Sequence, residues 1–139
     1  MTSNLDEKGL RSIFDEYDVF FIDIWGVLHN GIKLFQNSVE VLENLEKNKK
    51  QYVLLTNAPR PNLTVIQYLK KMGLDEKKAQ QVYTSGQAAL DQLKTMNSTS
   101  FFHIGPPRDF DLFKTFENQK VEKIESCDFL LCTGLFDDH

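Results

Sequence analysis

Apolar and polar positions follow two different periods along this chain, and each change of period marks an element. Residues 5–17 place Leu5, Leu10, Ile13 and Phe14 on one side of an expected amphipathic helix. Asp18–Ile24 is a short, mostly apolar run ending in Asp23, as a buried parallel strand would look. Trp25–Gly31 closes on His29-Asn30-Gly31, and Asn-Gly favours a tight hairpin because both residues tolerate positive φ.

The next unit opens at Asn37, with Glu40 three residues on, the spacing of a capping box. Val39, Leu42 and Leu45 then share one helical face, and the Asn-Lys-Lys run ends the helix. Gln51–Thr56 reads as a strand. Pro61 suits the first turn of a helix carrying Leu63, Ile66, Leu69 and Met72, closed by Gly73. Gln81–Thr84 is a third strand, with Ser85 as cap of a helix over Gly86–Thr95. After a polar linker at Asn97–Ser100, strands are expected at Phe101–Ile104 and Asp128–Cys132. A helix is expected around Phe110–Glu117 and a short strand at Val121–Ile124. Strand and helix in alternation predict an α/β fold with a parallel sheet and right-handed crossovers.

Composition narrows the function classes. A hydrophobic share of 41% with 26% charged residues is that of a globular chain able to bury a core. Its apolar runs fall far short of the roughly 20 residues of a spanning helix, so no membrane partner is expected. Residues 1–18 lack the basic-then-apolar order of a signal peptide, which points to the cytoplasm. A net charge of −4 speaks against a nucleic-acid surface. Lys47, Lys49 and Lys50 suit a helix C-terminus, where cations meet the negative end of the dipole. Cys127 and Cys132 are two thiols, too few for a four-ligand zinc site.

Ligands of open parallel sheets bind outside the carboxyl ends of the strands. Three polar groups fall there: Asp23, Thr56-Asn57 and Thr84-Ser85. A carboxylate can attack phosphorus and become an aspartyl phosphate. Hydroxyl and backbone N–H groups can hold the phosphoryl oxygens. Taken alone, Asp23 reads more simply as a strand-end carboxylate, and Thr56 and Asn57 as a strand end and helix cap. His29 alone reads as a solvated turn residue and His103 as a strand residue.

The run Phe21-Ile22-Asp23-Ile24-Trp25-Gly26-Val27-Leu28-His29-Asn30-Gly31 resembles the first motif of haloacid-dehalogenase-type (HAD) phosphatases, with its nucleophile and hairpin flap. Val53-Leu54-Leu55-Thr56-Asn57-Ala58 resembles the second motif. Val82-Tyr83-Thr84-Ser85-Gly86 and the later His103-Ile104-Gly105-Pro106 resemble the NagD-type branch, class IIA. The resemblance implies a Rossmann-like HAD core, incomplete here, over residues 1–86, and the start of a C2-type α/β cap over 87–139. It implies an Mg²⁺-dependent phosphatase acting on a small phosphorylated metabolite. Asp23 would be the nucleophile and a metal ligand, with the Trp25 backbone carbonyl as a second ligand. Thr56, Asn57 and Gly26 would bind the substrate phosphate.

Two departures qualify this. Trp25 stands where the family usually carries a general-acid Asp, and an indole donates only a weakly acidic N–H. His29 is a substitute proton source to consider. The third-motif Lys and the fourth-motif acidic pair follow the cap in the family, and Asp137-Asp138 resembles the cap's early segment instead. The chain therefore reads as a truncated, N-terminal part, impaired or inactive by itself. The alternative is a non-catalytic phosphate-binding or protein-interaction relic, with self-association through an exposed sheet edge.

Overall fold

The first apolar run forms β1 (Val19–Asp23), the second β2 (Gln51–Thr56) and the third β3 (Val82–Thr84), all parallel in the order β1-β2-β3. The computed structural model describes residues 9–96 and 99–136. Register aligns Asp23 with Leu55, and Thr56 with Thr84, so the polar strand ends come level along one edge. Side chains alternate across a strand. Phe20, Tyr52, Leu54 and Val82 therefore share one face, where they are buried against Leu42 and Leu45 of α1 (Gln36–Lys47) and Ile66 and Leu69 of α2 (Asn62–Lys71).

Several local expectations needed correction. The expected helix over 5–17 is instead two 3-10 turns, Gly9–Ser12 and Phe14–Glu16, and residues 5–8 lie outside the described part. Gly9 takes a positive φ of 61°, which a continuous helix does not allow. α1 begins one residue before Asn37, with Phe35 as N-cap and no side-chain cap bond. The backbone makes that turn instead: the Phe35 carbonyl accepts from the N–H groups of Ser38 (3.0 Å) and Val39 (3.1 Å).

α4 spans Ser85–Thr95, so Ser85 is its first residue and Thr84 the cap, its Oγ1 accepting from Gln87 N at 2.9 Å. A one-turn helix α3 (Glu76–Ala79) was not anticipated. Asp75 caps it by accepting from the N–H groups of Lys77 and Lys78. Its Lys78 is buried and reaches Glu46 at 3.0 Å, while Glu46 also accepts from the Tyr52 hydroxyl at 2.7 Å. That chain of contacts ties α3, α1 and β2 together. Burial, reinforced by Glu46, pushes the Tyr52 phenol upward, so it stays a neutral donor.

A second sheet pairs β4 (Phe101–Ile104) with β5 (Phe129–Cys132), again parallel. A 3-10 segment, Pro107–Gln119, packs Leu112, Phe113 and Phe116 against Phe101, and Leu90 and Leu93 of α4 join the same cluster. Helical geometry is interrupted at Phe116, where φ is −112°. No strand forms at 121–124. Val121 N donates to Phe101 O at 2.9 Å in an isolated bridge region, and Ile124–Ser126 is a 3-10 turn. Among the described residues, no helix is long and apolar enough to cross a membrane.

Leu54 sits at the centre of the main core with no exposed surface. Leu54→Ala should cost about 2–5 kcal/mol, transfer plus cavity. Urea unfolding monitored by far-UV circular dichroism would measure it; a loss below about 1 kcal/mol would mean the sheet is not packed as described.

Candidate active site

Asp23 ends β1 with its side chain exposed, and its Oδ1 accepts from Ile24 N at 2.8 Å. That bond orients the carboxylate and leaves its second oxygen for an incoming group. Thr56 ends the neighbouring strand, buried, with its Oγ1 accepting from Ala58 N at 3.2 Å. Its hydroxyl hydrogen is thus still available to donate. Asp23, Thr56 and Asn57, with Phe21 and Leu55, line one open cleft of about 470 Å³. A larger hollow of about 540 Å³ lies against Leu45 and Asn48, near where the strands begin, away from these groups.

The loop after Thr56 is held from behind by α4. Ser85 Oγ lies 2.8 Å from the carbonyl oxygen of Asn57 and 3.0 Å from that of Ala58, and Gly86 N donates to Ala58 O at 3.2 Å. The Thr84 hydroxyl donates to Arg60 O. A Cβ at Gly86 would sit 2.4 Å from the Arg60 nitrogen, so only glycine permits this approach. Arg60 in turn pairs with the buried Asp109 at 3.2 Å and donates to Arg108 O at 2.8 Å, linking this loop to the second sheet's unit. Neither Arg60 nor Asp109 stood out in the sequence, because their partnership spans 49 positions and belongs to no local motif.

The hairpin beyond Asp23 is built around His29. Contrary to a solvated turn residue, His29 is only 4% exposed. Gly31 N donates to its Nδ1 at 2.8 Å, which puts the ring proton on Nε2. Trp25 and Tyr68 meet the imidazole edge-on, with centroids 5.4 and 5.6 Å away, and the Tyr68 hydroxyl donates to Gly31 O at 2.8 Å. Gly31 has φ +87°, and a Cβ there would lie 2.6 Å from the Trp25 ring. Trp25 is itself 62% exposed and acts as the hairpin's outer brace. Gly26, at φ +77°, donates its N–H to His29 O at 2.8 Å, so that amide serves the turn.

Burial lowers the His29 pKa, because desolvation disfavours the imidazolium. A neutral His29 bonded at Nδ1 is a hairpin pin rather than a proton donor at neutral pH. His103 contacts Thr133 Oγ1 at 2.9 Å and is also lowered, first by burial and then by Lys120. Among the described residues no three His, Cys, Asp or Glu side chains gather closely enough to hold a metal; Asp137 and Asp138 lie outside them.

A histidine with a lowered folded pKa binds fewer protons folded than unfolded, so stability is full above the unfolded value of 6.5 and declines below it. Urea midpoints should therefore fall between pH 7.5 and pH 5.5, and His29→Asn should flatten that fall. An unchanged slope in the variant would remove His29 from this role.

A family model described as haloacid dehalogenase-like hydrolase matches residues 20–119. A comparison with curated proteins found no match. Among solved structures, a haloacid dehalogenase-like hydrolase from Brucella suis 1330 is 32% identical, with TM-score 0.75, over 93% of this chain and 49% of that one. A 4-nitrophenylphosphatase from Thermotoga maritima is 26% identical, with TM-score 0.67, over 86% of this chain and 46% of that one. A glycerol phosphate phosphatase from Mycobacterium tuberculosis, solved with calcium, shares the fold at 21% identity, with TM-score 0.63, over 91% of this chain and 38% of that one. The chain thus spans about half the length of the structures it matches. With the motif-bearing strands in parallel register and this match over most of its length, the chain belongs to the haloacid dehalogenase-like hydrolases.

Proposed function

We propose that the protein is a phosphatase of this family acting on a small phosphorylated metabolite, with Asp23 as nucleophile. The observation that carries the proposal is the shared cleft of Asp23 and Thr56 at the carboxyl ends of adjacent parallel strands. The free Asp23 oxygen attacks phosphorus, the bond to the leaving oxygen breaks, and water then cleaves the aspartyl phosphate to restore the carboxylate. Thr56 donates its hydroxyl hydrogen to a phosphoryl oxygen, and Asn57, whose carbonyl oxygen accepts from Ser85 and which lines the same cleft, would offer its N–H to the same oxygens. Gly26 shapes the turn beside them, and a phosphate contact from its amide would share the bond to His29 O.

The donor set suits Mg²⁺, a hard cation that takes one or two carboxylates and keeps several waters. Asp23 and the Trp25 backbone carbonyl would hold it, and bound Mg²⁺ supplies neutralisation of the charge between carboxylate and phosphate. Residues 87–139 are proposed as the start of the cap. Helix α4 runs through the 86/87 boundary, and its Leu90 and Leu93 lie in the second cluster.

Trp25 gives a second reading its support: with an indole in the position of the family's acid, the site binds phosphate but turns over poorly. The third-motif Lys and acidic pair have no counterpart in these residues by resemblance, so the 139-residue chain alone is proposed to be impaired. Leaving groups that need no proton should then be strongly favoured.

Hydrolysis of p-nitrophenyl phosphate with Mg²⁺, by the protein purified from its own cells, tests the proposal. Asp23→Asn in the same reading frame should abolish turnover, and Thr56→Ala should lower it by about 10²-fold without unfolding. An alkyl phosphate should react slower by about 10²–10⁴-fold, the usual worth of a general acid. Full activity in Asp23→Asn would defeat the nucleophile assignment.

A further inference from the structure

The loop after β2 is gripped by its carbonyl oxygens. Those of Asn57 and Ala58 face Ser85 Oγ, Gly86 N donates to Ala58 O, and the Thr84 hydroxyl donates to Arg60 O. A trans peptide points its N–H away from its C=O. With the Asn57 carbonyl turned to Ser85, the Ala58 N–H is turned back to Thr56 and meets its Oγ1 at 3.2 Å. That bond sets which way the Thr56 hydroxyl can offer its own hydrogen.

Pro59 and Pro61 stiffen the same loop, since each fixes its own φ and biases the residue before it toward extended backbone. The long side chain between them, Arg60, leaves for the second unit. Its Nη2 lies 3.2 Å from Asp109 Oδ1, and its Nη1 donates to Arg108 O at 2.8 Å. The acceptor is as firmly placed as the donor. The Asp109 side chain is only 4% exposed, its N–H donates to Pro106 O at 3.0 Å, and a Cβ at Gly134 would lie 3.0 Å from its Oδ2. Asp109 thus sits between the loops that leave β4 and β5, and a carboxylate so buried needs its cationic partner.

We propose that Arg60 and Asp109 are positioning residues for phosphate binding: the second unit, through this ion pair, holds the 57–60 loop in the shape that aims the Thr56 hydroxyl. A line of contacts runs from Asp109 through the Arg60 side chain and loop backbone to the Ala58 N–H and Thr56 Oγ1. That role rests on Thr56 as a phosphate ligand.

The test compares Asp109→Asn, Arg60→Gln and Arg60→Lys with the parent, each purified from its own cells in the same reading frame. Exchange of the Ala58 amide, followed by NMR well below the thermal midpoint, should quicken about tenfold in Asp109→Asn and Arg60→Gln, the worth of one good hydrogen bond. Calorimetric affinity for inorganic phosphate should fall by a similar factor, and kcat/KM for p-nitrophenyl phosphate by up to about 10²-fold, as a small misplacement costs. Arg60→Lys keeps the charge but loses the fork, so it should fall between parent and Arg60→Gln. It also keeps a cation beside Asp109 should the other two fail to fold. Asp128→Asn removes a carboxylate that holds Ser100 within the second unit, and it should leave Ala58 exchange unchanged. A lowered midpoint with parental Ala58 exchange and phosphate affinity would make the pair a structural brace and overturn the proposal. So would Asp128→Asn loosening Ala58 as much as Asp109→Asn does. A parent that binds no phosphate would overturn the role of Thr56. Loop exchange needs no ligand, so it separates that failure from failure of the tie.

Discussion

Everything local to the site depends on the parallel pairing of β1 with β2 and of β2 with β3. Parallel strands present their carboxyl ends on one edge, and the register from Val19↔Gln51 to Asp23↔Leu55 brings that edge level. A carboxylate and a hydroxyl 33 positions apart in sequence come to line one cleft. A slip of one residue would turn Asp23 toward α1 and expose Phe20 and Ile22 instead, so burial of the core fixes where the Asp23 carboxylate stands.

Two sets of contacts then stiffen what the sheet positions. Behind Thr56, α4 closes on the backbone of residues 57–60 through Ser85, Gly86 and the Thr84 hydroxyl. Beyond Asp23, His29 draws Gly31, Trp25 and Tyr68 around itself and fixes the hairpin to α2. Both rely on glycine at a contact no side chain could share, and both use neutral groups. The tryptophan that displaces the family's usual acid therefore has a structural place, braced against His29 and stacked over Gly31.

Much of this architecture was legible beforehand, and the residues show why. β2 was expected from Gln51 to Thr56 and β4 from Phe101 to Ile104, and both formed with those bounds, because compact apolar runs between turn signals have few alternatives. Asp23 and Thr56 were singled out because a polar residue ending such a run lies at the ligand-binding edge. Their catalytic and phosphate-binding roles came from resemblance. The caps were less legible: Thr84 and Ser85 are both good N-caps, and which one serves depends on Ser85 having Asn57 and Ala58 to bond. The one-turn α3 is too short for periodicity to detect.

By itself, then, the sequence determined the alternation of strands and helices, the inward faces, and the polar strand ends, because these follow from local periodicity and side-chain chemistry. Tertiary structure alone decided that His29 is buried rather than solvated, that Arg60 meets Asp109, and that Gly86 is required by the Arg60 backbone. Each of those depends on groups distant in sequence meeting at van der Waals or hydrogen-bond range. No local pattern encodes such a meeting; the packing of the sheet against its helices creates it.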